Sequence, residues 1–300
     1  MIGCTKGKYK IIQDPVYGYT RIDPIPTKEE LDKFYTEDFY SSRYKCFNDA
    51  SRQVQEEEKD FFDCRWEFIC NWLIKHFGKL EGLSLFDVGF GFAQALLYLH
   101  QKGMIVSGLE PSPEGVKYAK SKGLDVYQAD ISDFSCAGSK KFDVVLLLGI
   151  LEHIAYPAEA LLNIKKKLLK PGGLLVADVP NEFNDFQLIA NEEFKLNEWW
   201  LCPPCHINYF SASSLKSLIK QCGYDIFGCE SSFPIDMFML FGDKYVGDEK
   251  LAKICHEKRV KFELLMKKHG KEEKLLKLYK AFAELDLGRH VVVYAKPKGK

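Results

Sequence analysis

Residues 86–99 read FDVGFGFAQALLYL: an apolar, β-rich run, a Gly-x-Gly turn, then an apolar stripe at helical spacing. Glu110 closes the next β-rich run, MIVSGLE (104–110), 21 residues after Gly89. A strand that turns through glycines into a helix brings backbone N–H groups up to a ligand. An acid at the end of the following strand sits where a ribose diol donates two hydrogen bonds.

Further along the chain the alternation continues. LSLFDV (83–88), MIVSGLE, LDVYQAD (124–130), FDVVLLL (142–148) and LLVADV (174–179) predict strands. Helices are expected between them over 92–102, 113–122 and 157–169, the last ended by Pro171-Gly172-Gly173. Such alternation builds an α/β, doubly wound, mainly parallel sheet with helices on both faces. Upstream, TKEELDKFY (27–35) predicts a short helix capped by Thr27, and the stripe across 52–77 a longer one. Downstream come a helix over 211–223, a strand at 224–231, a charged helical stretch over 247–286 and a last strand, HVVVYAKP (290–297). The two final strands are expected as an antiparallel pair at the sheet edge with the helical stretch inserted between them.

Composition narrows the classes. The 300 residues carry 42 Lys plus Arg and 42 Asp plus Glu, so no global charge steers the chain to nucleic acid or anionic lipid. The longest apolar stretch, VVLLLGIL (144–151), is too short to span a bilayer, and MIGCTKGKYKIIQD has no leader-like apolar core. A cytoplasmic protein without membrane insertion is expected. Ten scattered cysteines in such a chain read as small buried hydrophobes rather than disulfides.

A dinucleotide fingerprint, G-x-G-x-x-G, would need glycine at 94, where the chain has Gln94. Asp87, just before the turn, would repel a pyrophosphate and suits a ligand with a cationic amino group. A nicotinamide-dependent oxidoreductase is therefore the weaker enzyme reading.

The series DVGFGF (87–92), GLEPSPEGVKYA (108–119), VYQADI (126–131), FDVVLLLGILEHI (142–154) and LLKPGGLLVADVPN (168–181) resembles the class I S-adenosylmethionine-dependent methyltransferases. The resemblance covers roughly residues 60–232 and the terminal strand, with Ala93 where the family's turn has its third small residue. It implies a seven-stranded Rossmann-like methyltransferase fold, S-adenosyl-L-methionine as cofactor and a small-molecule acceptor. It also implies roles. Asp87, Gly89, Phe90 and Gly91 would flank the methionine moiety, Glu110 and Pro111 the ribose, Asp130 and Ile131 the adenine, and Gly149 and Ile150 the donor pocket. A non-catalytic S-adenosylmethionine-binding module on the same fold is the alternative that leaves the general base unassigned.

Two histidines are candidate bases. His153 stands in Leu151-Glu152-His153 after the fourth strand, where the sheet presents side chains to substrate, and Glu152 is a candidate substrate contact. His206 ends WLCPPCH (200–206), a stretch that by itself suggests a redox dithiol, a zinc half-site or a haem attachment. The family-like feature there is His206-x-x-Tyr209-Phe210-Ser211. No second ligand pair follows the Cys-x-x-Cys, and Cys205 and His206 are adjacent, which argues against one shared ion; no metal is expected. The arm 1–51 is expected as a substrate lid on a domain spanning 52–300. The insert, about 242–286, is expected to cap the acceptor site or form a homodimer contact. Aromatic residues of the 180–210 loop, Trp199, Trp200 and Tyr209 among them, would face the acceptor. Resemblance of the arm and tail to methyltransferases of bacterial surface polysaccharides points to O-methylation of a sugar, nucleotide-sugar or surface glycan.

Overall fold

Seven strands form the central sheet of the computed structural model, which describes residues 5–34 and 56–299. Five are parallel: β4 (Ser84–Val88), β5 (Ile105–Glu110), β6 (Asp125–Gln128), β7 (Phe142–Leu148) and β8 (Leu169–Pro180). β10 (Tyr224–Ser231) and β11 (His290–Pro297) complete it antiparallel, in the order β10-β11-β8-β7-β4-β5-β6. The expected seven-stranded, doubly wound sheet is present.

Alternation along each strand feeds two cores. Phe86, Val145 and Leu147 pack with Leu161 and Ile164 of α5 (Pro157–Lys167) and Leu215 and Leu218 of α7 (Ala212–Gln221). Leu85, Val144 and Leu146 face the other way. They meet Trp72 and Leu73 of α2 (Lys59–Phe77), Leu96 and Leu99 of α3 (Gln94–Gln101), and Val116 of α4 (Pro113–Ser121). Strands buried on both faces need apolar side chains at successive positions, which is why FDVVLLL is nearly continuous.

Two local expectations change. Pro171-Gly172-Gly173 does not end a helix: α5 stops at Lys167, and the three residues lie inside β8. A register shift opposite Phe142 and Val144 accommodates them, as Pro without an N–H requires at an irregular point of a sheet. α1 covers Lys28–Lys33, with Thr27 and Glu30 forming a capping box; the rest of the expected 27–35 helix and the start of the 52–77 helix lie largely outside the described residues.

A second sheet of four antiparallel strands joins the chain's beginning to its middle. β1 (Thr5–Lys6), β2 (Tyr9–Gln13) and β3 (Thr20–Asp23) pair in series, and β3 pairs with β9 (Asn208–Tyr209) through Thr20–Tyr209 and Arg21–Asn208. The insert leaves β10 at the level of Ser231, which pairs with Val291. It forms α8 (Met237–Leu240), α9 (Glu249–Lys268) and α10 (Glu272–Glu284). Leu275 and Tyr279 of α10 bury against Phe68 of α2 and Phe233. No described helix is long and apolar enough to cross a membrane.

Candidate functional site

β4 and β7 are neighbours, and β4 is also the strand from which the sheet grows the other way through β5. The loops after β4 and β7 therefore meet at the topological switch, where an open α/β sheet leaves a crevice. Gly89 follows β4 with φ +74, and a Cβ there would stand 2.2 Å from Ile150 Cδ1 and 3.6 Å from Ile131 Cγ2. Three expected cofactor residues from three different loops are thus in mutual reach. Gly91 has φ +54 and open space where a Cβ would be.

Asp87 lies beneath this turn, 2% exposed, and its Oδ1 has no hydrogen-bond partner among the described residues. Burial, then the neighbouring Glu110, pushes its carboxyl up to about 8. Glu110 is differently placed. Its Oε2 accepts from Gly91 N at 2.9 Å and its Oε1 from Ser112 N at 2.9 Å, so it braces the turn and the start of α4 as well as facing the crevice. Burial raises its pKa and these two hydrogen bonds oppose the rise. Each carboxylate oxygen keeps a further acceptor site. Asp130 is exposed, its Oδ1 accepting from Ser132 N and Oγ.

The turn after β7 is knit to the loop before β9. Ile207 N and Asn208 N donate to the Glu152 carbonyl at 2.7 and 3.0 Å, and Asn208 Nδ2 donates to the carbonyls of Leu151 and Ile154. Glu152 is buried, and burial lifts its carboxyl to about 8. Its Oε1 lies 3.9 Å from His153 Nε2. His153 Nδ1 is 2.7 Å from the Cys205 carbonyl oxygen, and the His153 and His206 rings meet edge-on at 5.0 Å. Burial lowers the pKa of His153, and burial first, then the nearby His153, Arg289 and His290, lowers His206 to about 3.

The aromatic residues expected at the acceptor divide. Trp200 and Tyr209 are each 2% exposed and belong to the small sheet's core with Tyr9, Ile11 and Ile22. Tyr209 Oη donates to the His206 carbonyl and accepts from Cys202 N, bracing the CPPC loop. Trp199 is half-buried, edge-on to Trp200. These apolar rings complete a core that the arm alone could not fill.

A charge array centred on two buried acids at the carboxyl edge escaped sequence reasoning. Asp178 of β8, fully buried, pairs with Arg65 of α2 and, at 3.1 Å, with His290 Nδ1; Arg289 pairs with Glu182 at 3.1 Å. Gly149 N donates to the Asp178 carbonyl, so the array adjoins the β7 turn. The one available signal was an acid inside the apolar run LLVADVP.

A methyltransferase-domain family model matches residues 2–227. The chain belongs to that family. Together with its fold, this makes it an S-adenosylmethionine-dependent methyltransferase. Among curated proteins it resembles the ubiquinone biosynthesis O-methyltransferase of Cereibacter sphaeroides (strain ATCC 17029 / ATH 2.4.9). The two are 29% identical over 178 residues, 54% of this chain and 71% of that protein. The Caulobacter vibrioides enzyme of the same name is 33% identical over 159 residues, 49% of this chain and 63% of that one. Among solved structures, the plantazolicin methyltransferase BamL in complex with SAH and a triazolic desmethylPZN analog aligns at TM-score 0.55. Its identity is 14%, over 90% of this chain and 95% of that one, a likeness of fold.

Proposed function

We propose that the methyltransferase acts on oxygen, methylating a hydroxyl of a small-molecule acceptor held above the turn after β7. The observation that carries the donor assignment is the buried, unpartnered Asp87 oxygen beneath a glycine turn. An anion buried without a partner is costly, and a cationic amino group offsets that cost. Asp87, Gly89 and Gly91 would hold the methionine end of the donor, Glu110 and Pro111 the ribose, Asp130 and Ile131 the adenine, and Gly149 and Ile150 the space around the methyl. S-adenosylmethionine supplies a methyl group already activated on a sulfonium, so the protein's task is alignment and removal of one proton.

His153 is better suited than His206 to take that proton. It shares a turn with Gly149, whereas an imidazole held at about 3 is a weak base at neutral pH. The arm and the insert would flank the acceptor, with Trp199 and the buried Glu152 on its loop side. Relatives named ubiquinone biosynthesis O-methyltransferase support oxygen as the target and favour an acceptor from that class of pathway. The arm and tail resemblance favours a sugar or nucleotide-sugar.

Incubation with methyl-labelled donor and parallel panels of phenols, deoxysugars and nucleotide-sugars tests the reading. An O-methylated product from one panel is expected. Binding of SAH without turnover on any hydroxyl acceptor would leave a cofactor-binding module instead.

A further inference from the structure

We propose that His153, Cys205 and His206 form a three-ligand site for a zinc-class divalent ion. One ligand atom from each residue lies within 4.8 Å of the other two. Adjacent residues rarely serve one ion, yet here the turn at 202–206 directs the Cys205 thiol and the His206 ring toward the same neighbour. His153 Nδ1 lies 3.9 Å from Cys205 Sγ and would exchange its 2.7 Å bond to the Cys205 carbonyl oxygen for the ion.

Three further observations fit an ion. His206 Nδ1 is buried with no partner among the described residues, a lone pair or N–H that nothing satisfies. The two rings meet edge-on with centroids 5.0 Å apart, so one ion can be reached from both. The cluster is also held from outside: Tyr209 Oη bonds the His206 carbonyl, and the Glu152 carbonyl ties the β7 turn to Ile207 and Asn208.

Two imidazole nitrogens and a sulfur are a borderline-soft set that selects zinc over magnesium or calcium. With bond lengths of about 2.0 Å to nitrogen and 2.3 Å to sulfur, tetrahedral ligand atoms stand roughly 3.5 Å apart. Side-chain rotation by about an ångström would close the site. A thiol ligates as the thiolate, so binding would release one proton from Cys205 to solvent. Three protein ligands leave a fourth position for an oxygen. This deepens, and rests on, the reading of an oxygen acceptor: His153, Cys205 and His206 would hold the ion, which would supply Lewis-acid activation of the hydroxyl in place of His153 as the base.

The test reads metal rather than turnover. The full-length protein is stripped with chelator, incubated with zinc chloride, desalted and analysed by elemental mass spectrometry. About one zinc per chain is expected for the wild type and for Cys202→Ser, and at least tenfold less for Cys205→Ser and His206→Ala. With cobalt(II) in place of zinc, a thiolate-to-metal charge-transfer band should appear in the wild type and Cys202→Ser and vanish in Cys205→Ser. Matching unfolding temperatures of the metal-free wild type and Cys205→Ser show that the variant folds. Zinc below 0.1 equivalent in the wild type, equal zinc in Cys205→Ser, or equal loss in Cys202→Ser each overturns the site. Calorimetry with SAH on the same samples reports the donor crevice separately, so failure of the metal site and failure of the methyltransferase reading are distinct results.

Discussion

At the scale of single residues, Asp87 and Glu110 do different work with the same functional group. Glu110 is satisfied by two backbone N–H groups, and Asp87 has one oxygen bonded to nothing. Glu110→Ala would orphan the N–H groups of Gly91 and Ser112 and lower stability as well as affinity. Glu110→Gln keeps one acceptor for the two N–H groups and removes the charge, so a denaturant melt beside the calorimetry separates its effect on the turn from its effect on the ribose contact. The substitution should weaken SAH binding by about 1.5–3 kcal/mol, the range for a hydrogen bond to a charged group. Unchanged affinity by calorimetry would remove Glu110 from the cofactor. Asp87 must lose its proton to meet an ammonium group, and its carboxyl stands at about 8 in the free protein. Affinity for SAH should therefore rise between pH 6 and 8, with a released proton that shows as a binding heat dependent on the buffer's ionisation enthalpy. Asp87→Asn should abolish both effects, and a flat wild-type profile would contradict the assignment.

At the scale of elements, helix ends show where local chemistry was readable. α2 ends on Gly78 with φ +80 and open space around its Cβ position. α6 (Asp185–Phe194) ends on Lys195, also left-handed at φ +53 and exposed. The same backbone shape costs an L-residue about 1 kcal/mol. Lys195→Gly should raise stability by about that amount in denaturant melts and Gly78→Ala should lower it similarly; the opposite signs would mean that α6 does not end this way in solution. The parallel strands were legible because burial on both faces writes a continuous apolar run, and Ser211 announced α7 as its cap. Within the candidate site, glycines and acids at strand ends were legible because topology alone sends them to the crevice. Trp200 and Tyr209 were not, since an aromatic ring in a loop carries no mark of whether it will face a ligand or a core. His153, Cys205 and His206 were unreadable as a group, because 52 residues separate the first two and only the β7 turn's bonding to residues 207 and 208 unites them.

At the scale of the whole molecule, buried carboxyls give the fold a pH slope. Burial holds Asp87 at about 8 and Glu230 at about 7, the latter despite hydrogen bonds from Trp72 and Tyr294. In the unfolded chain both return to ordinary carboxylate values near 4. The folded state then binds protons more tightly, so this stability is fully present below about pH 4 and is lost as pH rises toward 8. The unfolding temperature of the ligand-free protein should fall from pH 5 to pH 8, and Asp87→Asn should flatten the slope. A steady rise over that range would show that other groups dominate. The small sheet sets a different kind of constraint, one of time. Arg21 pairs with Asn208, so the edge of β3 turned away from β2 has no partner until almost two hundred further residues have been made. The pairing of β1 to β3 is local and that of β3 with β9 is not, so the loop bearing Cys205 and His206 is fixed in shape only where β9 closes on that edge.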